Sequence, residues 1–267
     1  MTGETRKYAL ERIMSVMAKL RDPENGCPWD RKQTWETLIK HTLEEAYEVA
    51  DAIEQRPSHE PGDVQSELGD LLFQVVFYSR VAEEQGWFDL HDVIYSLCDK
   101  LERRHPHVFG DLNFETREQL EESWHASKAE ERQQKAMHSV LDDIPLSLPA
   151  LTRSQKLQRR AANEGFDWPD HQGVLNKLDE ELAEFNQALS SGEQSAIEDE
   201  LGDLFFTLVN LSRHLNADSE TLLRRANQKF ERRYRQMESG LIELHKKPSD
   251  FTIEELEALW QEAKRKV

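Results

Sequence analysis

Apolar residues recur along this chain with the period of a helix. Between Thr34 and Ile53 they fall at Leu38, Leu43, Ala46, Val49 and Ile53. Between Val64 and Ala82 they fall at Leu68, Leu71, Leu72, Val75, Val76 and Val81. Spacings of three and four place such residues on one helical face. No stretch alternates apolar and polar positions with β-branched enrichment, the mark of a half-buried strand, so an all-α fold is expected. Breakers separate the periodic segments at Asn25-Gly26-Cys27-Pro28, Pro57 to Gly62, His105-Pro106 and Pro145 to Pro149.

The pattern occurs twice. Glu67-Leu68-Gly69-Asp70-Leu71-Leu72-Phe73 returns as Glu200-Leu201-Gly202-Asp203-Leu204-Phe205-Phe206, and Ser79-Arg80 returns as Ser212-Arg213. Upstream, Glu44-Glu45-Ala46-Tyr47-Glu48 returns as Glu180-Glu181-Leu182-Ala183-Glu184. Downstream, Lys100-Leu101-Glu102-Arg103-Arg104 returns as Lys229-Phe230-Glu231-Arg232-Arg233, and Trp124 pairs with Trp260. Landmarks in one order, at a spacing of about 130 residues, mark an internal duplication. The turn Gly165-Phe166-Asp167-Trp168-Pro169 likewise resembles Gly26-Cys27-Pro28-Trp29-Asp30. The expected organisation is two tandem helical-bundle modules: residues 1–137, a Pro-containing linker over 138–149, and residues 150–267, which open with a helix from Ala150 to Arg160. Each half reads as four or five helices.

Charge narrows the partners. The chain carries 52 acidic against 34 basic residues, a net charge of −18, so nucleic acid and anionic membranes are disfavoured. A small anionic substrate needs a metal and local basic residues to reverse the field at one spot. The two cysteines, Cys27 and Cys98, have no metal-ligand spacing and read as reduced thiols. The N-terminal segment has no uninterrupted apolar run, and no run elsewhere is long enough to span a bilayer, so a cytoplasmic protein is expected.

The charge that carries chemistry is ordered. Glu45 and Glu48 are three apart on one helix, and Glu67 and Asp70 are three apart on the next. If antiparallel neighbours turn these faces together, four carboxylates converge. Like charges that close call for a cation, and an oxygen-only donor set selects a hard one, Mg²⁺ or Mn²⁺. The second half repeats the set as Glu181, Glu184, Glu200 and Asp203. A di-iron site would want histidine three residues after a glutamate, and none stands there.

At these residues the chain resembles the MazG family of nucleoside triphosphate pyrophosphohydrolases, as a tandem two-domain member. The specific matches are Leu20 through Asp30 (LRDPENGCPWD), Lys100 through Phe109 (KLERRHPHVF) and Leu141 through Pro145 (LDDIP). The resemblance implies an all-α homodimer that hydrolyses NTPs and dNTPs, broadly in base, to nucleoside monophosphate and pyrophosphate with Mg²⁺. It implies metal ligands at Glu181, Glu184, Glu200 and Asp203, and nucleotide contacts at Lys177, Glu198, Asp199, Lys229, Arg233 and Trp260. Ala196 departs from members with a polar or basic residue there. Glu180 or Glu181 would orient the attacking water. Lys229 and Arg233, four apart, can reach the same phosphates, and Trp260 can stack on a base. A deoxynucleotide-specific or phosphoribosyl-ATP-type pyrophosphohydrolase and a non-catalytic helical scaffold are the alternatives.

The halves differ in charge near the phosphate end. Lys177, four residues before Glu181, has His41 as its first-half counterpart. Asn227, two residues before Lys229, has Cys98, which Asp99 follows. More positive potential in the second half predicts that residues 150–267 carry most of the hydrolysis.

Overall fold

A computed structural model describes residues 8–54, 61–110, 112–114, 116, 119–120, 123, 139–243 and 245–266. Trp124 and His138 lie outside them. The chain divides into two compact units, residues 1–129 and 130–267. Among the described residues every regular element is helical.

The first unit holds α1 (Ala9–Leu20), α2 (Trp35–Glu54), α3 (Pro61–Glu84), α4 (Leu90–Arg104) and the single turn α5 (Pro106–Phe109). The expected helix over Thr34 to Ile53 is α2, displaced by one residue. Helix α3 begins inside the expected breaker, at Pro61. Proline is tolerated at a first helical position, where its missing N–H has no partner to lose. Helices α2 and α3 pack along each other in opposite directions: Trp35 Nε1, at the start of α2, donates to the Tyr78 carbonyl near the end of α3 at 3.2 Å. The core is Met17, Leu38, Val76, Phe77, Val81 and Leu90. Arg21 closes one end, with Nε donating to Glu84 Oε1 at 2.9 Å and its guanidinium 5.3 Å from the centre of the Phe77 ring.

The second unit holds α6 (Ala150–Asn163), α7 (His171–Ser191), α8 (Gln194–His214), α9 (Ser219–Glu243) and α10 (Ile253–Lys266). Helices α7 and α8 form a tight antiparallel hairpin. Gly192 turns the chain with φ 74°, a left-handed conformation that favours glycine. Helix α6 crosses α8 and α9 and is fastened by polar residues. Gln155 Nε2 donates to the Ala217 carbonyl at 2.9 Å, while its Oε1 accepts from Ser219 N at 3.0 Å and Oγ at 2.9 Å. The stretch expected as a linker is attached to this unit from Ser139 on. Arg160 donates to the Val140 carbonyl and pairs with Asp143, each at 2.9 Å, and Ile144 is buried.

Part of the expected apolar stripe faces outward. Leu68, Leu72 and Val75 of α3 are exposed, and so are Leu201, Phe205 and Leu208, which hold the same register on α8. The other face of each helix supplies the interior, with Val76 and Phe77 in α3, and Thr207, Val209 and Asn210 in α8. Helix α3 is therefore apolar on more than one side.

Candidate active site

In the second unit α7 presents Glu181 and Glu184, and α8 presents Glu200 and Asp203. The register is set at both ends of α7. Asp170 caps its start, accepting from Gln172 N at 2.8 Å, and the Gly192 turn ends it. Carboxylate oxygens of Glu181, Glu184 and Glu200 lie within 4.8 Å of one another. Asp203 is adjacent, sharing a cavity wall with Glu181. Glu181 is 4 % exposed. Lys177 Nζ pairs with its Oε1 at 2.7 Å and with Glu180 Oε1 at 2.8 Å, and those partners hold the Lys177 ammonium protonated well above its ordinary range. The other Glu181 oxygen, Oε2, is buried with no hydrogen-bond partner. Desolvation, then the charges of Glu184, Glu181, Asp203 and Asp199, push the Glu200 pKa up.

This donor set fits a hard divalent cation. Three carboxylates converge although their mutual repulsion opposes it, and a buried anionic oxygen is left to be satisfied. Oxygen ligands alone suit Mg²⁺ or Mn²⁺.

The first unit brings together Glu45, Glu67 and Asp70 within the same 4.8 Å. Glu48 stands beside them: desolvation, then the charges of Glu48 and Asp70, raise the Glu45 pKa. Where Lys177 stands in the second unit, the first has His41, with the edge of Trp29 packed at 5.6 Å between ring centroids.

Of the remaining expected contacts, Glu198 and Asp199 directly precede Glu200 on α8, and the others are on α9 and α10. Glu198 is exposed and accepts from Gln194 Nε2 at 2.7 Å, and Asp199 is also exposed. Lys229 and Arg233 are on α9, Lys229 exposed and Arg233 half-buried with an unpartnered Nε. Trp260 of α10 packs on Phe230 at 5.3 Å between ring centroids, and Phe230 in turn stacks on Tyr234. The side chain expected to stack on a base is thus already in contact with α9.

Behind the carboxylates is a cavity of about 540 Å³, within the range of small-molecule sites. Its wall includes Lys177, Glu181 and Asp203, the apolar side chains of Leu157, Phe166, Trp168 and Phe206, and the polar side chains of Gln158 and Asn210. Among the described residues, none of α9 or α10 belongs to that wall. In the sequence Phe166 and Trp168 stand out only as part of a repeated turn, and Gln158 and Asn210 are not among the expected site residues. A signal was present for Asn210: in the ungapped repeat it replaces Phe77, a polar residue amid an apolar helix face.

Known proteins match this chain over almost its whole length. The profile of the MazG nucleotide pyrophosphohydrolase domain matches twice, over residues 33–109 and 170–237, so each match contains one carboxylate cluster. The nucleoside triphosphate pyrophosphohydrolase of Escherichia coli (strain K12) is 48 % identical over 260 residues, spanning 96 % of this chain and 97 % of that protein. The nucleoside triphosphate pyrophosphohydrolase/pyrophosphatase MazG of Thermotoga maritima is 42 % identical over 254 residues, 95 % of each chain. The uncharacterized protein YabN of Bacillus subtilis is 37 % identical over 251 residues, 94 % of this chain but 50 % of its own length. With two domain matches that each enclose a carboxylate cluster, and relatives similar over almost their whole length, this chain belongs to the MazG nucleotide pyrophosphohydrolase family.

Proposed function

We propose that the chain hydrolyses nucleoside triphosphates to nucleoside monophosphate and pyrophosphate, with Mg²⁺ or Mn²⁺, chiefly at the second unit and with broad base tolerance. The observation that carries this reading is the buried Glu181, with an unpartnered Oε2, in a three-carboxylate cluster that opens on a ligand-sized cavity. The names of the Escherichia coli and Thermotoga maritima relatives support it. Glu181, Glu184, Glu200 and Asp203 would hold the cation. Such an ion, when bound, lowers the pKa of a coordinated water and neutralises phosphate oxygens.

The other roles belong to the chain itself. Glu180 or Glu181 orients the water in line with the α-phosphorus. Lys177 already bridges those two carboxylates and so places an ammonium beside the reacting phosphates. Lys229 and Arg233, one turn apart on α9, serve the phosphate tail, Arg233 as a bidentate partner.

Two matched outward apolar stripes, Leu68-Leu72-Val75 and Leu201-Phe205-Leu208, support a homodimer in which they are covered. No described helix is long and apolar enough to cross a membrane. Together with a net charge of −18 this supports a cytoplasmic protein that binds neither membrane nor nucleic acid.

Chromatography of the products is the test. NMP with pyrophosphate is expected, abolished by EDTA and restored by Mg²⁺. NDP with orthophosphate, or full activity in chelator, would overturn the reading. Light scattering at micromolar concentration tests the dimer, and a monomeric mass rejects it.

A further inference from the structure

We infer that His214, the last residue of α8, is a positioning residue for the second unit's site: it donates to Asp167, and the two with Arg213 pin the Gly165–Trp168 turn to the end of that helix. The inference rests on the reading that this unit binds the triphosphate.

A count of donors settles the direction of the bonds. Arg213 Nη2 has two hydrogens. Asn210 Oδ1 takes one at 2.7 Å, and Asp167 Oδ1 takes the other. His214 Nε2 is 3.0 Å from the same Nη2, with no hydrogen left for it to accept, and 3.0 Å from Asp167 Oδ1. Nε2 therefore carries a proton of its own and donates to Asp167. Arg213 Nη1 donates to Asp167 Oδ2 at 2.9 Å, and Trp168 N donates to Oδ1 at 3.0 Å. Burial raises the Asp167 pKa, but its hydrogen bonds with Arg213 and His214 outweigh that and hold the carboxyl below its ordinary range. The Arg213 and His214 side chains are 12 % and 10 % exposed, so these bonds are largely shielded from water.

Apolar burial does little to hold the turn in place, since Phe166 is 84 % exposed and Trp168 40 %. Asp167, Trp168, Asn210 and Arg213 are all in the cavity wall, while His214 is not among the described residues that line it. His214 thus acts through Asp167. It is also remote from the chemistry. Asp203 is three turns back on α8, about 16 Å along the axis.

The first unit lacks this tether. The register position of His214 holds Val81, buried in the core, and Arg80 pairs with Glu83 and Glu84 of its own helix.

The test has two readouts on the full chain in Mg²⁺ buffer. One is the ATP dependence of pyrophosphate release. The other is calorimetric binding of α,β-methylene-ATP, whose carbon bridge resists cleavage. His214→Val, which installs the first unit's residue, should raise KM and weaken the analogue by about tenfold, the scale of one hydrogen bond to a charged group, while kcat is kept. His214→Gln, which returns an N–H donor near the place of Nε2, should recover most of the loss. A parental KM in folded His214→Val, a loss carried by kcat instead, or no recovery in His214→Gln overturns the inference. If His214→Val loses cooperative melting, Asp167→Asn, on the partly exposed turn, decides by the same split of KM from kcat. If no triphosphate releases pyrophosphate, the analogue decides. Binding weakened in His214→Val and recovered in His214→Gln upholds the positioning role and removes the proposed hydrolysis, and no binding to the parent chain overturns both.

Discussion

Position 77 in the first unit and position 210 in the second occupy the same place in two copies of one helix, ten residues after the first glutamate of each Glu-Leu-Gly-Asp motif. Phe77 is wholly buried and is a centre of its unit's core, with Met17, Leu38 and Val76 around it. Asn210 lines a cavity and is held by Arg213. The residue at 80 or 213 follows suit: Arg80 pairs with Glu83 and Glu84 of its own helix, whereas Arg213 reaches Asp167 beside the cavity. Two units can thus keep the same four acidic positions and differ in what stands behind them. One has used the space for packing, the other for a pocket.

The largest expected effect follows from that packing. Phe77→Ala should cost about 3–5 kcal/mol of stability, as for large-to-small changes in a tight core. Asn210→Ala should cost about 1–2 kcal/mol, the scale of a lost buried hydrogen-bond partner. Urea titration monitored by circular dichroism checks the pair, and equal losses would mean that the two positions do the same job.

Next comes the chemistry. Glu184→Gln should lower kcat by about 100-fold, or about 2.7 kcal/mol of transition-state stabilisation. Glu48→Gln should keep most of it. Steady-state release of pyrophosphate measures both in the full chain. The reverse order, or similar losses in each, breaks the assignment of hydrolysis to the second unit.

Lys177 and His41 form the third pair. Lys177→Ala should raise KM by about tenfold through the loss of one charged phosphate contact, and His41→Ala should change it less than twofold. A KM titration with ATP separates them.

The smallest effect is a stability change with a definite sign. Since the Glu200 pKa is raised in the folded chain, its ionised form opposes folding above that pKa, and the penalty disappears as pH falls through it. Glu200→Gln should therefore raise Tm in EDTA at pH 7. The gain over the parent should vanish towards the acidic side of the carboxylate range. Thermal melts across pH in chelator show whether it does.

Much of this was legible in the residues before any coordinates. The helix over Thr34 to Ile53 emerged as Trp35–Glu54, and that over Ala150 to Arg160 as Ala150–Asn163, because local periodicity and breakers decide where a helix runs. Carboxylates three apart on neighbouring helices were enough to place Glu45 with Glu67 and Asp70, and Glu181 with Glu184 and Glu200. The expected apolar stripe of α3 was less well read, since Leu68, Leu72 and Val75 point outward while Phe77, not counted in it, is buried. A helix with two apolar faces does not announce which one its neighbours will cover.

By itself, then, the sequence determined the duplication, the helical class and the acidic clusters, all of which follow from spacing along the chain. Only the tertiary structure decided the cavity. Gln158, Trp168 and Asn210 come from α6, the turn after it and α8, and no spacing rule relates them. They share one wall because α6 crosses α8, where Gln158 donates to a helical carbonyl and Gly173 lets Trp168 pack close. Which side chain fills a space and which merely borders it depends on volume and on hydrogen-bond partners brought from distant parts of the chain. The step from Phe77 to Asn210 therefore became the difference between a packed core and a cavity wall only once both were folded.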